Sequence, residues 1–219
     1  GASRPWRYLA FVRAAFAREA AYRLNVLVAL VGFTTRVYVL QFVWSRLYLA
    51  HAVEAVNDIR LGQMLTYMVV AQLSMLVLGA DSTGLIRQRV REGSIATDLM
   101  RPISFPLYLL ADTVGSSLFR GVVLVPAALF GLLVVGIGPP PTWRHGALFL
   151  VSLVLGFLVS FLLNFLANAT AFWTLETFGL RFALQFAGLI LSGVVVSVWF
   201  LPEAMASVVH LLPFAAVYS

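Results

Sequence analysis

The side chains of this sequence that could carry chemistry are concentrated in one charged segment, residues 81–102. It lies between two long apolar stretches and reads Asp-Ser-Thr-Gly-Leu-Ile-Arg-Gln-Arg-Val-Arg-Glu-Gly-Ser-Ile-Ala-Thr-Asp-Leu-Met-Arg-Pro. Asp81 or Ser82 can cap the start of a helix, Gly93 can end it, and Pro102 favours extended backbone before it. The segment therefore predicts a short, charged, capped helix, a rigid handle that a motor protein could push. An ordinary arginine-rich loop is the alternative.

A second group of polar side chains interrupts the apolar stretches, where such groups are costly in lipid. It consists of Arg36, Gln41, Asn164, Asn168 and Gln185. Arg36 could line a substrate path, pair with an acid of a partner subunit, or extend its guanidinium to the membrane surface. Asn164 and Asn168 are four residues apart and share a helix face. For both, and for Gln185, hydrogen bonding between helices is favoured over substrate contact. All five are candidates for a substrate path.

Several kinds of chemistry are excluded by residues that the sequence lacks. It has no cysteine, and all 15 of its basic residues are arginine, so Cys-ligated metals, a P-loop lysine and a Schiff-base lysine are excluded. His51, His145 and His210 lack metal-ligand spacing. No metal site and no catalytic residue is predicted. Asp112 and Arg120 are eight residues apart and share a helix face, so we interpret them as interfacial or paired charges.

The composition requires lipid as the solvent for most of this chain. Of its 219 residues, 61% are hydrophobic and 11% charged, against about 45–50% and about 25% in soluble domains. A spanning helix needs about 20 mostly apolar residues. We predict spans at residues 25–49, 64–80, 121–136 (with a possible start near 105), 147–170 and 182–201. The fold class is all-α, a polytopic helical bundle in one transmembrane domain, residues 1–219, with a sixth span expected after Ser219.

The arginines predict how the bundle is oriented, because basic residues near span ends favour the cytoplasm. One side carries Arg4, Arg7, Arg13, Arg18, Arg23, Arg87, Arg89, Arg91, Arg101, Arg120 and Arg181. The other carries Arg46, Arg60 and Arg144. The N-terminus is therefore predicted to be cytoplasmic. The net charge of +6 reflects this topology rather than nucleic-acid binding.

Residues 1–23 predict an amphipathic helix lying on the membrane. Leu9, Val12, Phe16 and Ala20 form a stripe at helical spacing, although Arg13 lies beside it. The neighbouring arginines suit lipid headgroups. A cytoplasmic extension of the first span is the alternative.

Two runs of the charged segment resemble the cytoplasmic-loop signature of ABC-2 type exporter permeases: Glu92-Gly93-Ser94-Ile95 and Asp98-Leu99-Met100-Arg101-Pro102. Residues 103–111 continue this resemblance. They are similar to the subgroup whose members are named as viologen or multidrug exporters. Further similar runs follow the family's order along nearly the whole chain, at residues 22–23, 41–44, 64–67, 192–193, 200–203 and 212–214.

The resemblance implies a permease subunit that is not itself an enzyme. ATP and Mg²⁺ would be bound by separate nucleotide-binding subunits, so no cofactor is expected on this chain. A second permease is implied, with a heterodimer favoured over a homodimer. The helix at 85–92 would be the coupling helix, and the coupling residues would be Arg87, Arg91, Glu92, Ile95, Asp98 and Arg101. Asp98 and Arg101 are expected to fix the loop against the chain itself. The cargo would be an amphipathic or lipophilic solute, by analogy a cationic drug.

Two other functions remain open. An ion-coupled secondary transporter needs buried acids or broken helices, and no acid lies within the core of a predicted span. An integral-membrane lipid enzyme needs clustered His, Asp, Glu or Ser at one membrane face, and the histidines are dispersed.

Overall fold

The computed structural model describes residues 6–50, 55–56, 59–100, 103–136 and 142–174, together with residues 179, 182, 183 and 186. These ranges form helices and one short hairpin. In chain order they are α1 (Trp6–Ala21), α2 (Arg23–Ala50), β1 (Ala55–Val56), β2 (Ile59–Arg60), α3 (Leu61–Leu78), α4 (Gly84–Arg91), α5 (Ile95–Leu99), α6 (Phe105–Val135), α7 (Trp143–Ala169) and α8 (Ala171–Thr174).

Four of these helices, α2, α3, α6 and α7, are long and apolar enough to cross a membrane. They confirm the all-α prediction and the first four spans, and α6 shows that the third span starts at the earlier position. At about 1.5 Å per residue, the 18 residues of α3 extend about 27 Å. That length is close to the hydrocarbon thickness of about 30 Å, so α3 is long enough to cross it once. Of the predicted fifth span, only Phe182, Ala183 and Phe186 lie within the described residues.

The centre of the bundle is built by α2, α3 and α6. Phe33 and Val37 of α2 pack with Val69 of α3 and Ala127 of α6 in a buried cluster. A second cluster joins the ends of α2 and α3 through Trp44, Tyr48, Met64, Leu65 and Met68. The large apolar side chains on the outer faces of α2, α6 and α7 are exposed, as lipid-facing surfaces require.

At one end of the bundle α3 stops and α6 begins, and α1, α4 and α5 gather there; we call this the arginine-rich end. Helix α1 runs along the first half of α6. The rings of Phe11 and Tyr108 meet edge to face with centroids 4.9 Å apart. Gly115 of α6 allows the closest approach, because a Cβ there would lie 2.3 Å from the Val12 carbonyl oxygen. The apolar stripe predicted for α1 therefore does not face one environment. Phe16 contacts Phe119 of α6, whereas Leu9 is exposed.

The opposite end holds the hairpin of β1 and β2, which the sequence did not predict. The two strands pair antiparallel, Ala55 with Arg60 and Val56 with Ile59. The Tyr48 hydroxyl donates a 3.0 Å hydrogen bond to the Ile59 carbonyl and ties the hairpin to α2. Helix α6 ends at this same side in Gly136, whose φ of 72° is the left-handed conformation that favours glycine.

Candidate functional site

The charged segment folds as the short helix that the sequence predicts, although its start differs in detail. The N-cap position is Thr83, not Asp81 or Ser82, so that prediction was wrong. The Asp81 carboxylate instead accepts hydrogen bonds from the Thr83 amide, at 2.8 Å, and from the Thr83 hydroxyl. At the other end Gly93, with a φ of 71°, follows α4 as predicted. The helix is thus terminated at both ends by local chemistry.

An apolar anchor holds α4 against the membrane helices. Ile86 is 1% exposed and packs with Leu109 of α6 and Phe161 of α7. The partly buried Leu85 and Val90 extend the same contact. Since a packed core transmits displacement with little loss, a force on α4 would reach α6 and α7 directly.

A chain of buried polar groups joins the start of α4 to α7. Asn168 is fully buried, and its amide donates 2.9 Å hydrogen bonds to the Thr83 hydroxyl and to the Asn164 carbonyl. The Thr83 hydroxyl donates onward to Asp81. The Oδ1 atom of Asn168 is buried and has no hydrogen-bond partner within the described residues. The Asp81, Thr83 and Asn168 side chains form one connected network.

A second network joins α1, α6 and the residues before α4. The two terminal nitrogens of Arg18 donate to the two carboxylate oxygens of Asp112 at 3.0 and 2.8 Å. The Ser82 hydroxyl donates to the same carboxylate at 2.6 Å. Hydrogen bonding to Asp112 is the main cause that raises the pKa of Arg18. Asp112 therefore pairs with Arg18 on another helix, and the described structure shows no ion pair between Asp112 and Arg120.

The rest of the charged segment separates into internal and exposed groups. Asp98 is buried and forms an ion pair with Arg89 at 3.4 Å, which links α5 to α4. Arg91 and Glu92 are exposed, Arg87 and Ile95 are half-buried, and Gln88 donates to Glu92 at 2.8 Å. Leu99 and Met100 project from the loop, 58% and 80% exposed. Arg101 lies outside the described residues.

A polar cavity of about 680 Å³ opens between α1, α4 and α6. Four guanidinium groups line it, those of Arg18, Arg87, Arg91 and Arg120. Four carboxylates line it as well, those of Glu19, Asp81, Glu92 and Asp112. The cavity wall therefore carries both signs in equal number, and sequence reasoning did not bring these residues together.

The predicted substrate-path residues do not form one site. Arg36 is exposed and donates to Gln72 of α3 at 3.5 Å, with the Met75 sulfur 3.9 Å away. Gln72 and Met75 lie one to two turns before the end of α3. The Arg36 guanidinium therefore lies closer to the arginine-rich surface than the position of Arg36 in the middle of α2 would indicate. Gln41 has a buried Oε1 atom without a partner in the described structure and borders a void of about 10 Å³.

Other members of that set lie elsewhere. Asn164 donates to the Ser160 carbonyl within α7, and Asn168 belongs to the α4 network. Gln185 lies outside the described residues. The sequence analysis did not select Gln72. Like Gln41, it is an amide side chain within an apolar span, so the same criterion would have found it. The described residues also contain no group of three His, Cys, Asp or Glu that could hold a metal ion.

Comparison with known proteins agrees with this architecture. The family model for ABC-2 family transporter proteins matches residues 35–219. No curated protein and no solved structure matches the chain. The chain belongs to the ABC-2 transporter family. It is the membrane component of an ABC transporter, a class of membrane protein that works with ATP-binding subunits and is not itself a catalytic enzyme.

Proposed function

We propose that this chain is the permease subunit of an ATP-driven exporter in a bacterial inner membrane. It would move an amphipathic or lipophilic solute outward, driven by separate subunits that bind ATP and Mg²⁺. The arginine-rich end would face the cytoplasm and receive those subunits on α4, α5 and the residues that join them. The viologen and multidrug exporters, which the loop resembles, give the narrower expectation for the cargo.

The orientation is supported by the distribution of arginine over the described helices. The arginine-rich end carries Arg13, Arg18, Arg87, Arg89, Arg91 and Arg120, whereas the opposite end carries Arg46, Arg60 and Arg144. Basic residues close to span ends are retained on the cytoplasmic side. This surface is the side on which ATP is available.

The docking surface is supported by the contrast between the two faces of the charged segment. Its inner face is fixed by Ile86, Thr83 and Asp98, which are all buried. The same segment carries the exposed charged residues Arg91 and Glu92 and the exposed apolar side chains of Leu99 and Met100. Exposed apolar groups rimmed by charge mark protein-interaction sites. The observation that supports the proposal is that one segment is packed against the bundle by buried side chains and also carries exposed charged and apolar side chains.

The test reverses charge on the outer face. Arg91→Glu and Glu92→Arg should abolish transport and reduce substrate-stimulated ATP hydrolysis at least several-fold in reconstituted vesicles, while insertion of the permease into the membrane stays intact. The matched control is Arg144→Glu, because Arg144 is an exposed arginine at the opposite end. Unchanged coupling in both loop variants would overturn this placement of the docking surface.

The partner subunits are tested by mild-detergent purification of the tagged protein from its native membrane, followed by mass spectrometry. A co-purified soluble subunit with a P-loop is the expected result, and a second, different permease would support the heterodimer that the family resemblance favours. Recovery of this chain without any ATPase, in each of several detergents, would instead favour an ion-coupled secondary transporter.

A further inference from the structure

The polar cavity opens beside the end of α3, at the arginine-rich end of the bundle. Helix α3 is long and apolar enough to cross the hydrocarbon once and ends at Leu78. A terminal nitrogen of Arg120 lies 3.3 Å from the place that a Cβ on Gly79 would occupy, just beyond that end. The Ser117 hydroxyl meets the Val77 carbonyl at 3.2 Å. The part of α6 that borders the cavity is therefore level with the end of α3. Because α3 is about as long as the hydrocarbon is thick, we place this part of α6 at the membrane surface.

The charges that line this cavity are engaged to different degrees. Asp112 is fully engaged by Arg18 and Ser82, and Glu92 accepts from Gln88. Arg87 and Arg120 form no ion pair with any carboxylate in the described part of the chain. The carboxylate of Glu19, on α1, accepts no hydrogen bond within the same residues, although it lines the cavity. Two cations and one anion thus face the same space without a direct partner.

From this arrangement we infer that the cavity binds the headgroup of a zwitterionic phospholipid that carries a primary ammonium, the phosphatidylethanolamine class. Guanidinium groups recognise phosphate through paired N–H donors, and Arg87 and Arg120 supply them. The carboxylate of Glu19 is the acceptor for the ammonium. A cavity of about 680 Å³ is within the size range of small-ligand sites, and unpaired groups of both signs on its wall favour a ligand that carries both signs over a simple anion.

The bound lipid would connect three elements that the protein joins only in part. Its phosphate would lie between α4 and α6, and its ammonium at α1. Occupation would therefore hold the charged segment against the membrane surface. The inference does not rest on the direction of transport or on the ATPase, so it is tested with the permease alone.

The experiment is native mass spectrometry of the purified full-length protein, mixed with equal amounts of phosphatidylethanolamine and phosphatidylglycerol. The wild type should retain phosphatidylethanolamine several-fold more than phosphatidylglycerol. Arg120→Gln should lower retention of both lipids several-fold. Glu19→Gln should remove the preference and leave phosphatidylglycerol retention unchanged, an effect that general destabilisation would not produce. Arg144→Gln is the matched control, and unfolding midpoints of all variants confirm that they fold.

Three results would overturn the inference. Equal retention of the two lipids by the wild type would remove the role of the ammonium. Equal behaviour of Arg120→Gln and Arg144→Gln would place lipid binding elsewhere. Displacement of the lipid by soluble phosphoethanolamine at similar concentration would assign the cavity to a water-soluble solute.

Discussion

Arg18 of α1 and Asp112 of α6 are 94 residues apart in the chain, yet they form a bidentate ion pair with distances of 3.0 and 2.8 Å. The carboxylate is buried, whereas the guanidinium side chain is 48% exposed. Ser82 shares the carboxylate, so one buried acid holds together the N-terminal helix, a spanning helix and the segment before α4.

Loss of the guanidinium should weaken this junction more than neutralisation of the acid. Arg18→Met leaves a buried carboxylate with only Ser82, and we expect a cost of about 1–3 kcal/mol, below the range for a fully buried pair because Arg18 is half exposed. Asp112→Asn keeps one acceptor and should cost less. The measurement is the unfolding midpoint in mild detergent. Arg13→Met, which removes an exposed arginine from the same helix, is the control, and an equal loss there would contradict the assignment.

The same pair should be insensitive to pH over the working range. The pKa of Arg18 in the folded state is raised, chiefly by the hydrogen bonds to Asp112. A cation with a raised folded pKa contributes stability that is present below the unfolded pKa and lost only as pH rises through the folded value. For arginine that window lies above the range in which proteins are handled. The difference in unfolding midpoint between wild type and Arg18→Met should therefore stay constant from pH 7 to about pH 10.

Gly115 should be required for the docking of α1. A Cβ at this position would lie 2.3 Å from the Val12 carbonyl oxygen and 2.7 Å from the Ala15 Cβ. Because the nearest atom is backbone, Gly115→Ala must push α1 away from α6, at a cost of about 1–3 kcal/mol. Gly121→Ala on the same helix meets nothing within 4 Å and should be neutral or slightly stabilising. Cross-linking of a cysteine pair across α1 and α6, in this cysteine-free chain, reports the displacement. Equal cross-linking in both variants would be the contrary result.

Most of the membrane architecture could be predicted from the sequence because a spanning helix is a local property. Twenty apolar residues specify it whatever their neighbours are, and three of the first four spans were found within a few residues of α2, α3 and α7. The third was placed at 121–136, and α6 begins at the earlier of its two predicted starts. Gly93 was recognised for the same reason, since a left-handed residue after a helix depends on local backbone sterics.

The contacts between elements could not be predicted, because they depend on which helices become neighbours. Asp112 was considered with Arg120 on its own helix, and its partner came from α1. Asn168 was expected to form a hydrogen bond between helices in preference to contacting substrate, and it does, but the sequence could not name Thr83 as its partner. A single sequence gives helix faces but not the pairing of those faces, so the polar networks at the arginine-rich end emerge only from the structure.

Ile86 should be the main apolar anchor of the charged segment. Truncation to alanine removes a fully buried side chain from contact with Leu109 and Phe161, and we expect a loss of about 2–4 kcal/mol. The consequence for the transporter is weaker coupling between ATP hydrolysis and transport, measured as the ratio of the two rates in vesicles. Leu133→Ala, in an exposed leucine at the opposite end of α6, should leave that ratio at the wild-type value. An unchanged ratio in Ile86→Ala would show that the apolar contact does not carry the force.

Thr83 should carry the polar part of the same connection. Its hydroxyl accepts from Asn168 and donates to Asp81, so Thr83→Val keeps the shape of the side chain and removes both bonds. The buried Asn168 amide and the Asp81 carboxylate each lose a partner, at a combined cost of about 1–3 kcal/mol. Hydrogen exchange of the α4 amides should then become faster, because the start of the helix is no longer held to α7. Thr97→Val is the control, since the Thr97 hydroxyl is exposed and bonds only to the neighbouring Ser94 carbonyl. If α4 exchanges at the same rate in both variants, Ile86 alone fixes the helix, and the network of Asp81, Thr83 and Asn168 serves another purpose.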